Sequence, residues 1–588
     1  VDNTTGSETT AETFSNLQAA VDNASEDATL TVGSGTFNES VTVDVEGLTL
    51  EAGDGASPTV SPPSTNGRTD TITASANGVT IQGLTVEATG GSTPRAIVLN
   101  ADNTAAVNND VSHADSVADK SRTGPLIAVA GGDSVTVDRN TATDGPIAYV
   151  GGDNKEATFT NNTVEGDLVD EAFFAFGATD PDITFTGNDF SAAETGKDAD
   201  VKFDLSATVN GETDDAAIAG SVVDDNTAVD TVEVEGNTFD DGSSLLVSSG
   251  DSIQSAVDTA GNLNGVDTVR VAEGNFTQSV TVDVEGLTLE GAGADATTID
   301  VSAQDGDGID PTAVSITEQD VTVEGFEIVG GENTGAGITV QSTGSTGALD
   351  DVTIADNTIR SIKGYGGGDS KESFGILVNA FSGSSDLAVE NVEITNNTIE
   401  DIGNSDSGLE GGFGTQTGGT QGFGVFVEET DGSGVTIDGN TIQNVRGAEG
   451  INGNFYPGVG VGIRPPLAGA AADNGGNLTA GVEAKGGILN DKANVTVTDN
   501  TFGTDQNANE LDLAVAGDAA GLSISGNSGV SEVVTEGAGL NDRQGVSGFV
   551  ASGDELESDE EVVTVVTNYS DDLPQDSLPN AEEFITTE

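Results

Sequence analysis

One segment of twelve residues occurs twice in this chain without a single change. It reads SVTVDVEGLTLE at Ser40–Glu51 and again at Ser279–Glu290. In both copies apolar and polar residues alternate on either side of a glycine, Gly47 or Gly286. This pattern is typical of a half-buried strand, a bend and a second strand. Because self-similarity over a long interval indicates a repeated architecture, we interpret the chain as two related halves.

The composition limits the partners that the chain can have. Its 588 residues are too many for one ordinary compact core. Lys and Arg number 17 and Asp and Glu number 100, which gives a formal net charge of −83. Nucleic acid is excluded as a partner, because phosphate binding needs a basic surface. An anionic membrane surface is disfavoured for the same reason.

So large a charge is typical either of a disordered chain or of a folded protein adapted to molar salt. The hydrophobic content of 35% lies in orderly alternating runs, which favours the folded alternative. The composition resembles that of proteins from halophilic archaea. Met, Cys and Trp are absent, and we expect Val1 to be a mature N-terminus left by a removed signal peptide, or a boundary within a longer chain.

Two further features bear on location. No run of about 18 apolar residues is present, so we expect no membrane span. Sequons for N-glycosylation indicate an extracellular protein. They lie at Asn3, Asn23, Asn38, Asn161, Asn275, Asn396, Asn477, Asn494 and Asn568.

Each half opens with a short predicted helix. Ser15-Asn-Leu-Gln18 matches a capping box, and Leu17, Ala20 and Val21 follow at helical spacing. The second half repeats the device at Asp251-Ser-Ile-Gln254. We expect each helix to cover the open end of a stack of strands, because an uncovered strand edge promotes aggregation.

The helix, a V-x-x-G-x-F motif and paired alternating strands together resemble the N-terminal cap and first coils of right-handed parallel β-helices. Pectin-lyase-like and pectinesterase-like proteins open in this way, and the resemblance covers most of residues 14–534. It implies an all-β fold of two tandem right-handed parallel β-helices, each with a short N-terminal capping helix. Several families with this fold are polysaccharide lyases or hydrolases.

A second motif, an alternating run followed by Asn, recurs after each cap. We expect this Asn to adopt the left-handed conformation at a sharp turn, and stacked coils to align the side chains in a hydrogen-bonded ladder. Separate hairpin turns are the alternative, although Asn-Thr is a poor hairpin turn. The predicted ladder residues are Asn140, Asn162, Asn188, Asn237, Asn357, Asn397, Asn440, Asn500 and Asn527.

The remaining segments define the predicted domains and loops. We expect a flexible N-terminal arm over 1–13, a first β-helix over 14–246, a second over 247–545, and an acidic linker with a C-terminal tail strand over 546–588. Three inserts at 364–373, 408–422 and 451–485 interrupt the second half, and long loops on a rigid stack often carry function. The run Val562–Val566 predicts one more strand, which could add to the edge of a neighbouring molecule.

No catalytic set can be recognised. Lyase chemistry like that of the pectate enzymes would use calcium and an Arg base, and the candidates are Arg360, Arg446 and Arg464, none of them in a pattern of those families. The Gly-His-Gly of the hydrolase branch is absent, and the single His113 is interpreted as a surface residue. With 100 acidic residues, carboxylate pairs arise by chance. Trp is absent and Tyr numbers 4, which argues against a long saccharide cleft.

Calcium is the one cofactor that the sequence suggests. Asp305, Asp307 and Asp310 offer hard oxygen ligands, but they lack a twelve-residue loop with a terminal Glu, so a solvated acidic turn is the alternative.

The sequence therefore predicts an extracellular structural glycoprotein of a halophilic archaeon. We expect a self-assembling cell-surface subunit, such as a filament, sheath or surface layer, or an adhesin, which associates with itself through its terminal arms. A secreted polysaccharide lyase or hydrolase is the first alternative. A viral fibre or spike is the second.

Overall fold

The computed structural model describes most of the chain in separate ranges. These are 2–4, 12–63, 69–90, 93–114, 124–151, 156–168, 171–177, 181–195, 199–241, 243–303, 312–332, 334–341, 349–364, 371–379, 389–403, 420–428, 433–449, 455–456, 458–464, 494–503, 509, 511–516, 523–529, 533–536 and 564–565. The chain forms two compact units: unit 1 comprises Val1–Leu246 and Leu263–Val266, and unit 2 comprises Val247–Asn262 and Asp267–Glu588.

Unit 1 is a parallel β-helix with three sheets, which each coil visits in the order 1A, 1B, 1C. The parallel strands of sheet 1A are Thr29–Val32, Thr49–Ala52, Thr80–Gln82, Ala105–Val107, Val135–Asp138, Glu156–Thr160, Asp182–Thr186 and Thr208–Val209. Those of sheet 1B are Gly35–Phe37, Pro58–Val60, Thr85–Ala88, Asp110–His113, Thr141–Thr143, Thr163–Asp167 and Asp189–Glu194. Those of sheet 1C are Val41–Val43, Asp70–Ala74, Arg95–Asn100, Ile127–Gly131, Ile147–Tyr149, Phe173–Phe176, Val201–Asp204 and Val232–Val234.

Unit 2 repeats the arrangement with sheets 2A, 2B and 2C. The strands of sheet 2A are Thr268–Val271, Thr288–Gly291, Thr322–Glu324, Val352–Ala355, Val392–Thr395, Ser433–Asp438, Asn494–Thr498 and Ser523–Ser525. Those of sheet 2B are Gly274–Phe276, Thr297–Asp300, Glu327–Val329, Thr358–Arg360, Thr398–Ile402, Thr441–Val445 and Thr501–Phe502. Those of sheet 2C are Val280–Val282, Thr312–Ile316, Ala336–Gln341, Lys371–Asn379, Thr420–Glu428, Val459–Arg464, Leu511–Ala516, Val533–Glu536 and Thr564–Val565.

The predicted fold class is confirmed: the chain is all-β and forms parallel β-helices, and a short helix precedes the first coil of each. Within the described ranges, no helix has the length and apolar character needed to cross a membrane. A short hairpin, Ala448–Glu449 with Phe455–Tyr456, branches from unit 2. The predicted domain limits stay predictions, and most of 546–588 lies outside the described residues.

The duplicated segment is the corner between sheet C and sheet A. Val41 and Val43 point into the core from sheet 1C, and Leu48 and Leu50 do so as the chain enters sheet 1A. Gly47 makes the bend with φ of +70°, and a Cβ there would collide with the Asp27 carboxylate. The positive φ favours glycine at this corner in both copies, and at Gly47 the Asp27 carboxylate leaves little room for a side chain.

The helices cover the first coils, although not as a capping box. Helix α1 (Leu17–Asp22) is capped by Asn16, and helix α3 (Ile253–Ala260) is capped by Ser252, one residue after the predicted Ser15 and Asp251. The glutamine of the motif bonds a strand instead. Gln18 Nε2 donates to the carbonyl of Thr42 (3.1 Å), and Gln18 Oε1 accepts from the N–H of Thr42 (2.7 Å).

The same pair of bonds recurs in the second half. There Gln254 bonds both backbone groups of Thr281, at 3.1 and 2.7 Å. The glutamine amide thereby satisfies the edge of the first C-sheet strand as a neighbouring strand would.

Parts of both terminal segments are strands. Asp2–Thr4 pairs antiparallel with Thr29–Val32 of sheet 1A on one side and with Glu12–Thr13 on the other, so these two pieces of the predicted flexible arm extend sheet 1A. Thr564–Val565, from the predicted tail strand, pairs in parallel with the chain's own Val533–Glu536. These residues lie in their own stack in this structure, and strand addition to another molecule stays untested.

The asparagine ladder forms in both units. In unit 2 it runs through Asn357, Asn397, Asn440, Asn500 and Asn527. In unit 1 it runs through Asn109, Asn140, Asn162, Asn188 and Asn226. Asn109 and Asn226 were not predicted, because they follow the less regular runs AAVN and VVDD.

The ladder asparagines join neighbouring coils, and all except the last of each ladder, Asn226 and Asn527, are buried. Asn397 Oδ1 accepts from the backbone N–H of Asn357 (3.0 Å) and from its Nδ2 (3.1 Å). Asn397 Nδ2 donates to the carbonyl of Ile354 (2.9 Å) in the preceding coil and to Asn440 Oδ1 (3.0 Å) in the next. The side chain is 1% exposed, so these bonds replace those that water would make.

Two predictions about the ladder were wrong. The left-handed residue is the one before the ladder asparagine: Asp356, Asn396 and Asp499 have φ of 53°, 56° and 52°. Asn237 is not in the ladder, because Glu235 and Gly236 (φ of 49° and 89°) form a two-residue hairpin turn between Val232–Val234 and Asn237–Asp241. For Asn237 the hairpin alternative is correct.

Unit 1 ends by reversing its chain. Asn210 and Gly211 (φ of 52° and 88°) make a tight turn after the last strand of sheet 1A. Helix α2 (Asp215–Asp225) follows and buries Ala216, Ile218, Ala219 and Val222 against the end of the stack. Asn237–Asp241 and Ser244–Val247 then complete sheet 1C as antiparallel strands.

Replacing Asn397 by alanine should lower the free energy of unfolding of unit 2 by about 3 kcal/mol, because the buried N–H of Asn357 and the carbonyl of Ile354 lose their partners. Thermal and urea unfolding in molar salt would measure the loss. The matched control is Asn38→Ala, since Asn38 is exposed. Equal stability of the two variants would contradict the proposed contribution of the ladder to the free energy of unfolding.

Candidate functional site

The corners between sheets differ sharply in length. In every coil with a ladder residue from Asn109 to Asn188 and from Asn357 to Asn500, two residues join the A-sheet strand to the B-sheet strand. The connections on either side of sheet 2C are much longer, and include 361–370, 403–419, 446–458 and 465–493. Sheet 2C is therefore the sheet bordered by the long connections of unit 2.

The three predicted inserts lie beside or within sheet 2C. Their outer residues belong to strands, which the sequence did not predict: Ser373 and Gly422 are in strands of sheet 2C, and Val459–Arg464 is another of its strands. The glycine-rich composition of these stretches concealed them, because Gly is depleted in strands. Most of each insert lies outside the described residues.

An aromatic cluster, which we define as Phe374, Phe423 and Phe426, lies on sheet 2C. The ring centroids of Phe423 and Phe426 are 4.4 Å apart, and that of Phe374 is 5.5 and 5.6 Å from theirs. Phe426 is in register with Gly462 on the next strand. A Cβ at Gly462 would come within 2.7 Å of the Phe426 ring, so the glycine makes room for the cluster.

The cluster was not among the residues expected from the sequence, where Trp and Tyr were taken as the saccharide platforms. The spacing of the phenylalanines in GFGVFV was visible, but the pairing with Phe374 depends on the register of two strands far apart in sequence. Phe423 and Phe426 are fully buried, so in this structure the cluster is part of the packing of sheet 2C.

Arg446 stands at the corner that leads from sheet 2B to sheet 2C. Its N–H donates to the carbonyl of Ile402 (2.8 Å), and its carbonyl accepts from Gly422 (3.0 Å). Its Nε donates to Asn444 Oδ1 (2.8 Å). A Cβ at Gly403 or Gly458 would collide with the Arg446 backbone, so this corner is tightly packed.

Arg360 lies on the outer face of sheet 2B, two strands before Thr441–Val445, the strand that leads to Arg446. Its Nε donates to Glu327 Oε1 at 2.7 Å. The hydrogen bond to Glu327, opposed by partial burial and reinforced by the charges of Glu327, Glu400 and Asp300, raises the pKa of the Arg360 guanidinium above its ordinary value. A general base must be unprotonated before it can accept a proton from the substrate. This ion pair keeps Arg360 protonated even more fully than a free arginine, so Arg360 is less suited to act as the base.

The other candidates are scattered. Arg464 ends a strand of sheet 2C in register with Glu428, and its side chain lies outside the described residues. His113 ends a strand of sheet 1B and is half-buried beside Leu126 and Gly145 in unit 1. Within unit 2 the structure does not bring Arg360 and Arg446 into one site.

The calcium prediction remains open. Asp305, Asp307 and Asp310 lie outside the described residues. In the described part of the chain, no three His, Cys, Asp or Glu side chains are grouped so that they could hold a metal ion. Calcium binding by the three aspartates stays a prediction.

The sequon asparagines whose side chains the structure describes lie at the surface. Asn23, Asn38, Asn161, Asn275 and Asn396 are all exposed. For Asn3 and Asn494 the backbone forms strands, but the side chains lie outside the described residues, as Asn477 and Asn568 do entirely.

Negative charges crowd the outer faces. On sheet 2A, Glu290 and Glu324 are in register on neighbouring strands. Partial burial, and then the charges of Glu290 and Asp356, raise the pKa of Glu324 above its ordinary value. Arg270 pairs with Glu290 at 3.0 Å, and salt would screen the repulsion between the carboxylates that remains.

Comparisons with known proteins identify no family for this chain. No family model matches the chain, and no curated protein matches it. Among solved structures, it is similar to a PL6 family alginate lyase, AlyGC, at 9% identity and a TM-score of 0.27, over 94% of this chain and 99% of that chain. It is also similar to the periplasmic alginate epimerase AlgG, at 8% identity and a TM-score of 0.18, over 86% and 85% of the chains.

A PL6 alginate lyase solved in complex with a trisaccharide is a further similar structure, at 10% identity and a TM-score of 0.18, over 90% of this chain and 82% of that chain. Similarity of this degree does not indicate what activity this protein has.

Gly462→Ala should lower the free energy of unfolding of unit 2 by about 2 kcal/mol, because the new methyl group would press on Phe426 and Phe423 in a closely packed cluster. Gly33→Ala is the control, since a Cβ at Gly33 meets no atom within 4 Å. Chemical unfolding followed by circular dichroism would compare them. An unchanged Gly462→Ala variant would show that the cluster is loosely packed.

Proposed function

We propose that this protein is an extracellular structural glycoprotein of a salt-loving archaeon, a stiff subunit or adhesin of the cell surface. The observation that carries the proposal is the exposure of all five sequon asparagines whose side chains the structure describes. Glycans on these residues would need no rearrangement of the fold. The ladder asparagines are of the same residue type and none is exposed, since Asn226 and Asn527 are half-buried and the others are buried, so exposure separates the two groups.

Geometry explains part of this separation. Most ladder asparagines are followed by threonine and then by an apolar residue, as in Asn162-Thr163-Val164. None of the ten has Ser or Thr two positions later, so none begins a sequon. The left-handed residue before a ladder asparagine, Asn161 or Asn396, has the threonine two positions later and does begin one. The corner itself therefore creates the sequons at Asn161 and Asn396. The sequons at Asn23, Asn38 and Asn275 do not arise in this way, so they are stronger support for glycosylation.

The distribution of charge supports a habitat with high salt. Carboxylates stack in register on outer faces, as Glu290 and Glu324 do, whereas the ladders and apolar columns inside are neutral. Molar salt reduces the Debye length to about 3 Å and screens the repulsion between neighbouring strands. Such a surface keeps a rigid protein soluble where water is scarce.

The stacked architecture supports a mechanical role. Each coil is hydrogen-bonded to the next along all three sheets, and the asparagine ladder adds a buried connection at one corner. Repeat proteins of this kind distribute their stability over many nearest-neighbour contacts. A unit built in this way resists bending and can hold a surface feature at a fixed distance.

Glycopeptide mass spectrometry of the protein produced in a halophilic archaeal host tests the proposal. We expect glycans on most of Asn23, Asn38, Asn161, Asn275 and Asn396, and none on the ladder asparagines, because a buried amide cannot carry a sugar. The cell-surface fraction should contain the glycosylated protein. Unmodified sequons in a host that glycosylates its other surface proteins would refute the glycoprotein assignment.

Electron microscopy in molar salt, with and without calcium, addresses assembly. Ordered filaments or sheets are expected of a self-assembling subunit, and loss of order on calcium removal would implicate carboxylate-bridged contacts. Dispersed single molecules would favour the adhesin form of the proposal.

A saccharide-cleaving enzyme is the second candidate, because long connections border sheet 2C and place Arg446 at its edge. Arg360→Ala provides the test on the neighbouring sheet. We expect it to leave any saccharide cleavage unchanged, since Arg360 is held in an ion pair with Glu327. Its conservative partner is Arg360→Lys.

The readout is the release of unsaturated or reducing ends from acidic and neutral polysaccharides. Cleavage by the unaltered protein that disappears in Arg360→Ala and returns in Arg360→Lys would replace the structural proposal with the enzymatic one.

A further inference from the structure

Helix α2 closes the end of unit 1 in a way that differs from α1 and α3. The apolar face of α2 packs on Asp182–Thr186 and Thr208–Val209 of sheet 1A and on the hairpin strands Val232–Val234 and Asn237–Asp241. Helices α1 and α3 are each tied to a strand by a glutamine within the helix. Helix α2 contains no Gln or Asn, and the amide tie to the stack comes after its end, where Asn226 Nδ2 donates to the carbonyl of Phe185 (3.1 Å).

The charges on α2 are all negative. Asp214 caps its N-terminus, with Oδ1 accepting from the N–H of Ala217 (3.4 Å), and Asp215 follows in the first turn. Asp224 and Asp225 lie in the last turn, which carries no basic residue. Carboxylates are unfavourable there, because the C-terminus is the negative end of the helix dipole.

The hairpin presents a further carboxylate to the start of the helix. Glu235 occupies the hairpin turn with φ of 49°, and Ser206 Oγ donates to it. Burial, and then the charges of Glu235 and Asp214, raise the pKa of Asp215 above its ordinary value, against a hydrogen bond from Asn237. The helix is thus held against a surface that repels it.

The other charged groups around α2 add to this repulsion. Asp182 lies on the sheet 1A strand, Asp240 on the hairpin, and Glu212 precedes the helix. Glu233, on the first hairpin strand, is paired with Lys202 at 2.7 Å. Among the described residues of the elements packed against α2, none is a cation, and Lys202 on the neighbouring strand Val201–Asp204 offsets the charge of Glu233 alone.

We propose that α2 is a salt-dependent latch on the C-terminal end of unit 1. In molar salt the carboxylates are screened and the apolar face holds the helix closed. At low ionic strength the latch opens before the coils separate, because the coils are joined by neutral ladders. Opening exposes Ala216, Ile218, Ala219 and Val222 together with the last strands of the stack.

Hydrogen exchange of the full chain, read by mass spectrometry, tests the latch. Between about 1 M and about 0.1 M sodium chloride, protection of the amides in α2 should fall roughly tenfold. Protection of Val135–Asp138 and of α3 should change less than about twofold, since neutral bonds hold them. Equal loss in all three segments, or an α2 without protection even at the higher salt, would overturn the proposal.

Two variants remove the repulsion without truncating the side chain. Glu235→Gln and Asp215→Asn should each reduce the salt effect on α2. The control is Asp44→Asn, which removes an exposed carboxylate in the first coil of unit 1. A salt effect equally large in Glu235→Gln and Asp44→Asn would show that the latch is not electrostatic.

The pH dependence follows from the same groups. Because the pKa of Asp215 is raised in the folded state, protonation favours the closed latch, so protection of α2 should rise as the pH falls through that pKa. The Asp215→Asn variant should lose this rise. A fall in protection over the same range would contradict the proposal.

Discussion

The amide of a buried asparagine is the interaction on which both units depend. It uses all its hydrogen-bonding capacity within the stack: one oxygen accepts two bonds from the coil before, and one nitrogen bonds a backbone carbonyl and the next asparagine. A group with such fixed requirements holds its corner to two residues. In the coils that carry the ladder, loop length therefore varies only at the corners on either side of sheet C, which explains the irregular spacing of the motif.

The local parts of this architecture could be predicted from the sequence. Alternation placed Val41, Val43, Leu48 and Leu50 in the core, and the run before each Asn marked the A-sheet strands. These features are local, because successive side chains of a strand point to opposite faces of the sheet, so neighbouring residues alone determine which face is buried. The error at Asn237 arose because a hairpin turn uses the same polar residues as a β-helix corner.

The non-local parts could not be predicted. The aromatic cluster depends on the register between Phe374 and Phe423, which the sequence alone does not reveal. The ion pair of Arg360 with Glu327 likewise joins strands separated by a whole coil. Of the candidate site, the sequence supplied the residue types and the position of the inserts, and packing decided which residues meet.

The glutamines at the two caps have a consequence for size. Gln18 and Gln254 occupy the backbone groups of Thr42 and Thr281 that another strand would need. Growth of each C sheet from that side is thereby blocked by a side chain. Each coil adds about 4.8 Å, the spacing of adjacent strands. The number of coils encoded in the sequence therefore sets the length of each C sheet, and this length is the same in every copy of the molecule.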